Sequence, residues 1–189
     1  VANGCVRLRG SLADGRADAY SDIDVRWEVP DRHFTAATGL APEVLSAVRP
    51  VENLRLDPDF QNSALRRMLF VQFKGTPLFW RLDLEVVAHS IRHDPDYDRD
   101  NPHAKGHDWS VTHSALMNAI AAIKALLRDK PADAEQLLLR AYQRIGLEPG
   151  RGSPGDMIPP LVRHIAVIDP AVSSLAARVR DLHQEVFAE

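Results

Sequence analysis

Two short runs hold side chains whose type and spacing suit them for chemistry. In Ser21-Asp22-Ile23-Asp24-Val25, two carboxylates are separated by one apolar residue. On an extended strand, side chains alternate with a period of two, so Asp22 and Asp24 point to one face. Two acids on one face repel, and the usual remedy is a divalent cation between them. A dozen residues earlier, Val6-Arg7-Leu8-Arg9 runs into Gly10-Ser11. Backbone N–H groups and a hydroxyl at such a turn can receive an anion such as phosphate. Metal-binding acids beside a phosphate cradle point to phosphoryl or nucleotidyl transfer. Arg7 and Arg9 just before the cradle either assist it or lie on exposed surface.

A second pair of acids stands in Leu82-Asp83-Leu84-Glu85-Val86. Strand periodicity again places Asp83 and Glu85 on one face, with Leu82, Leu84 and Val86 on the other. Asp83 is the first candidate for a third carboxylate and Glu85 the second. The acid without that role is expected to be solvated or paired with Arg66 or Arg67 across the hairpin.

The elements that must position these groups can be read from the pattern. Residues 6–9 predict a short strand, and Ser11 predicts a capped helix over 12–18. Strands are predicted at 23–29, 51–56, 65–73 and 78–88, the last two joined by a Lys74-Gly75-Thr76-Pro77 connection. Asp31 predicts the start of a helix over 33–48 that Pro42 breaks in two. Asp57-Pro58-Asp59 is a turn signal. Residues 89–109 mix acids, prolines and histidines without apolar periodicity, which predicts a loop and a domain boundary.

Beyond that boundary the pattern becomes helical. Helices are predicted over 111–128 and 132–145, the second stopped by Gly146. A loop is predicted over 148–155. Asp156 predicts the cap of a third helix to residue 168, with Pro159-Pro160 near its first turn. Asp169-Pro170 opens a fourth helix to residue 187. The expected class is α+β: a mixed sheet with flanking helices over residues 1–90, followed by a helical bundle over 110–189.

Composition bounds the function. The chain has 189 residues, 45% hydrophobic and 26% charged, with a formal net charge of -3. No long basic run appears, which argues against duplex nucleic acid as the main partner. Cys5, the single cysteine, excludes an internal disulfide and fits a reducing compartment. The most apolar helical stretch, 115–127, is too short to span a bilayer. No secretory signal is visible, so the expected location is cytoplasmic. The chain opens almost directly on a strand, which suggests that the true start is missing.

Bland readings cover the remaining signals. His103 and His107 have a spacing that zinc could use, yet nothing frames them, so solvated loop histidines are expected. Gly150–Gly155 is glycine-rich but lacks a P-loop lysine. Trp80 and Trp109 are expected to pack rather than stack on a base.

The run GSLADGRADAYSDIDV (residues 10–25) resembles the signature of the DNA polymerase β-like nucleotidyltransferase superfamily. That signature joins a Gly-Ser to an apolar-flanked Asp-x-Asp about a dozen residues later. The Ala13-x-Gly15-x-Ala17 spacing and Ser21-Asp22 resemble its small bacterial members, including antibiotic nucleotidyltransferases. The resemblance covers about residues 6–88. It implies phosphate binding by Gly10 and Ser11 and metal ligation by Asp22 and Asp24, with a third acid on a later strand (Asp83, alternatively Glu85). That acid would complete a metal site or accept a proton. It implies Mg²⁺, two ions about 4 Å apart in the usual arrangement, and ATP or another nucleoside triphosphate as co-substrate. The implied acceptor is a hydroxyl on a small molecule such as an aminoglycoside or lincosamide. A partner protein of toxin–antitoxin type is the alternative acceptor, and a non-catalytic nucleotide-binding module is the alternative class. A homodimer is compatible with all three.

Overall fold

The computed structural model describes residues 3–187. It is mixed α+β and divides into two compact units, 1–109 and 110–189. The loop after residue 88 belongs to the first unit.

The first unit is built on five strands: β1 (Cys5–Leu8), β2 (Ile23–Val29), β3 (Val51–Leu56), β4 (Arg66–Phe73) and β5 (Leu82–Ala88). Their order across the sheet is β1-β2-β5-β4-β3. β2 and β5 run parallel at the centre, and the other pairs are antiparallel. A parallel neighbour needs a long crossover. Here that crossover contains a helix, β3 and β4, so two strands distant in sequence lie side by side.

One face of the sheet is apolar. Val29, Leu69, Val71, Leu84 and Val86 form a core with Phe34, Ala37, Ala41 and Leu45 of α2 (Phe34–Val48). Small Ala37 and Ala41 let the helix approach closely. Pro42 does not break α2, contrary to the sequence expectation; the helix runs through it. Ala37, Ala41 and Leu45 bury the helix on both sides of Pro42, and this burial outweighs one lost backbone hydrogen bond. Asp31 also departs from its expected role, because a 3₁₀ turn over Asp31–His33 precedes the helix and its Oδ1 accepts from Ser90 N. β5 starts at Leu82 rather than 78, with a loop between Lys74 and Arg81 in place of a tight hairpin.

The second unit contains α3 (Val111–Leu127), α4 (Pro131–Arg144), α5 (Pro154–Ile168) and α6 (Ser173–Phe187). α3 packs against the other three. Leu116, Ile120, Ile123, Leu138, Ile158, Leu161 and Ile165 are fully buried. Tyr142 is equally buried, and its hydroxyl donates to the Met157 carbonyl at 2.8 Å. The cap of α5 is Ser153 rather than Asp156; the two form a reciprocal capping box, with Asp156 at the third helical position. Pro159 and Pro160 fall inside α5 instead of in its first turn. The Gly155 carbonyl, which would have received the N–H that Pro159 lacks, meets His183 Nε2 at 3.0 Å. The segment after Asp169 begins as a 3₁₀ turn, Pro170–Val172, and becomes α6 only at Ser173.

Among the described residues, no helix is long and apolar enough to cross a membrane.

Candidate active site on the polar face of the sheet

The face opposite α2 carries the polar residues of the central strands, arranged in rows by register. Asp24 on β2 stands directly opposite Asp83 on β5, and Asp83 opposite Phe70 on β4. Arg26 stands opposite Glu85, and Glu85 opposite Met68. The Asp-x-Asp pair and the later acids thus meet on one face because β2 and β5 are parallel neighbours in that register. Asp22 lies one residue before β2 begins.

Gly10 closes the row on the β1 side. The Arg9 N–H donates to the Asp24 carbonyl at 2.8 Å. Gly10 follows with φ +57, in the left-handed region where a side chain is costly. An added Cβ would lie 2.4 Å from Asp24 Oδ2. The glycine therefore serves two needs: the sharp turn out of β1, and contact between backbone and carboxylate. Ser11 follows inside a one-turn helix, α1 (Gly10–Ala13). This helix is shorter than the predicted 12–18, and Ser11 sits within it rather than capping it; no side chain caps it. Asp18, with Ser21, organises the return to β2: its carboxylate accepts from Tyr20 N at 3.0 Å and from Ser21 Oγ at 2.8 Å.

Asp83 and Glu85 have different surroundings. Arg81 grips Asp83 through one edge of its guanidinium, Nε donating to Oδ1 at 2.5 Å and Nη2 to Oδ2 at 2.7 Å. Its Nη2 also lies 3.7 Å from Asp22 Oδ2, and its guanidinium covers the Phe70 ring at 4.9 Å. Burial pushes the Asp83 carboxyl above its ordinary value; Arg81 opposes the shift and Asp22 and Asp24 add to it. Burial alone would lower the Arg81 guanidinium, but Asp83, Asp22 and Asp24 outweigh it and hold it above its ordinary value. Both shifts report the same crowding of acids around one cation.

Glu85 is completely buried. Its Oε2 receives Arg26 Nε at 2.8 Å and Arg9 Nη1, and its Oε1 lies 2.8 Å from Arg66 Nη2. Arg66 is one of the two partners named from sequence. The other, Arg67, instead donates to the Phe60 and Ser63 carbonyls. Arg66 also stacks on Phe60, 4.2 Å from the ring centre. This three-arginine clamp ties the turn after β1 to β2, β4 and β5, one register row beyond Asp24 and Asp83.

The donor set suits a hard cation. Asp22 and Asp24 offer carboxylate oxygens, and Mg²⁺ is commonly held by one or two carboxylates together with substrate phosphates. Asp83 has both oxygens engaged by Arg81. Among the described residues, no three His, Cys, Asp or Glu side chains form a ready-made metal-ligand group. His103 and His107 are exposed.

Two features beside the row were missed in sequence. Arg81 is one; its signal is an arginine two positions before Asp83, just ahead of β5. The second is a small cavity of about 270 Å³ beside Asp22, lined by Leu12, Ala17, Ala19, Ser21, Ile23 and Trp80. Trp80 is half exposed and donates from Nε1 to the Ala19 carbonyl at 3.2 Å.

Comparison of the chain with protein-family models, curated proteins and solved structures finds no match.

Proposed function

We propose that this chain is a divalent-metal-dependent nucleotidyltransferase. It moves a nucleoside monophosphate, AMP from ATP in the first instance, onto a hydroxyl of a small molecule of the aminoglycoside or lincosamide kind. The observation that carries the reading is the row itself: Gly10 against Asp24, Asp24 in register with Asp83, and Asp22 two residues before Asp24. Gly10, Asp22 and Asp24 belong to the run that resembles the polymerase β-like superfamily, and their closeness to Asp83 supports the reading.

In this reading Asp22 and Asp24 hold Mg²⁺, and the N–H groups around Gly10 and the Ser11 hydroxyl receive the β- and γ-phosphates. A bound divalent ion supplies charge neutralisation at the triphosphate. The acceptor oxygen attacks the α-phosphorus, the bond to the bridging oxygen breaks, pyrophosphate leaves, and the hydroxyl proton passes to solvent. The protein contributes position and charge, and no covalent nucleophile is required.

Incubation with ATP labelled at the α-phosphate, Mg²⁺ and a panel of acceptors tests this. Label on an aminoglycoside or lincosamide supports the small-molecule reading, and label on a co-purifying protein moves the acceptor to a partner chain. Tight ATP binding with no transfer to any acceptor indicates a binding module.

A further inference from the structure

Arg81 is a cation set against the aspartate row, and its geometry says more than that the row is balanced. Three carboxylates face it: Asp83 through two hydrogen bonds, Asp22 at 3.7 Å, and Asp24 beside Asp83 in register. Its side chain is about one-fifth exposed, so the charge is fixed at the mouth of the row rather than free in solvent. The Phe70 ring beneath it restrains the guanidinium plane.

We propose that Arg81 is the built-in second cation of this site: Asp22 and Asp24 hold one divalent ion, and Arg81, anchored by Asp83, takes the place of the other. The inference rests on the nucleotidyl-transfer reading and refines it. Two observations carry it. Asp83 gives both oxygens to Arg81, so its role is to anchor the arginine rather than to bridge metals. And three carboxylates against one guanidinium leave two negative charges, which a single divalent ion neutralises. A guanidinium has five N–H donors. The contacts to Asp83 use two, so donors remain for an oxygen of the α-phosphate. Arginine recognises phosphate with a flat fork that lysine lacks, which fixes orientation as well as charge.

The test counts Mn²⁺ bound per chain, by electron paramagnetic resonance, with a non-hydrolysable ATP analogue present. The wild-type chain is expected to bind one Mn²⁺ at saturation. Arg81→Met, which keeps the packing on Phe70, is expected to bind two, because Asp83 is released. Arg81→Lys keeps the charge and is expected to stay at one while binding the analogue about tenfold more weakly. Two Mn²⁺ in the wild type would overturn the proposal and leave nucleotidyl transfer standing. One Mn²⁺ in wild type and both variants, with analogue affinity unchanged, would reduce Arg81 to a structural ion pair and also overturn it. Absence of Mn²⁺ and analogue binding in the wild type would overturn the proposal together with the functional reading beneath it. Should Arg81→Met fail to fold, the wild-type count and the lysine variant decide.

Discussion

The backbone of Gly10 lies so close to Asp24 that a Cβ on the glycine would come within 2.4 Å of Asp24 Oδ2. The turn proposed to receive phosphate and the acid proposed to hold the metal are thus in contact, although fourteen positions separate them in the chain. Gly10→Ala must adopt φ near +57 and also push the carboxylate aside. The backbone cost is about 1–2 kcal/mol. Displacing a positioned group by about 1 Å can cost about 100-fold in rate. Thermal melts are expected to show a modest loss of stability, while label transfer drops by about that factor. Transfer at the wild-type rate would show that the contact has no functional weight.

Glu85 separates the stability of the sheet from its chemistry. Removing one partner of a buried ion pair costs about 3–5 kcal/mol, and Glu85→Ala strands Arg9, Arg26 and Arg66 together. Urea denaturation is expected to show a loss of that order. Glu85→Gln keeps the shape and some hydrogen bonding and is expected to lose less. A fully stable alanine variant would mean that the clamp contributes nothing.

The capping box of α5 gives a local prediction in the second unit. Ser153→Ala is expected to cost about 1 kcal/mol, read as a lower melting temperature. The Asp156 carboxyl is held below its ordinary value by hydrogen bonds from the Ser153 side chain and backbone. Its folded affinity for protons is therefore lower than its unfolded affinity. Its contribution is present above the ordinary value of 3.8 and is lost as pH falls through the lower folded value. Asp156→Asn, which cannot titrate, is expected to show a flatter acid limb in a plot of stability against pH. Identical acid limbs would contradict the assignment.

Local signals were readable where a residue's role depends on its neighbours in sequence. The pairing of Asp22 with Asp24 and of Asp83 with Glu85 follows from period-two alternation, and the five strands from short apolar runs bounded by turn signals. The four helices of the tail follow from apolar spacing. What the sequence concealed depends on partners far along the chain. Pro42 sits inside a helix because Ala37, Ala41 and Leu45 bury it on the sheet. Pro159 is tolerated where His183, from another helix, meets the carbonyl it leaves open. In sequence Asp83 ranks only narrowly ahead of Glu85, because both are flanked by apolar residues. Register separated them: Asp83 stands between Asp24 and Phe70, where Arg81 grips it, and Glu85 stands between Arg26 and Met68, with Arg9 and Arg66 closing on it.

The central claim is that Asp22 and Asp24 hold the metal that binds the nucleotide. Isothermal titration of ATP with Mg²⁺ into the wild-type chain, Asp22→Asn and Asp24→Asn tests it most directly. The account predicts Mg²⁺-dependent binding by the wild type, lost in both variants while their melting temperatures stay near wild type. ATP–Mg²⁺ affinity unchanged in both variants would contradict it.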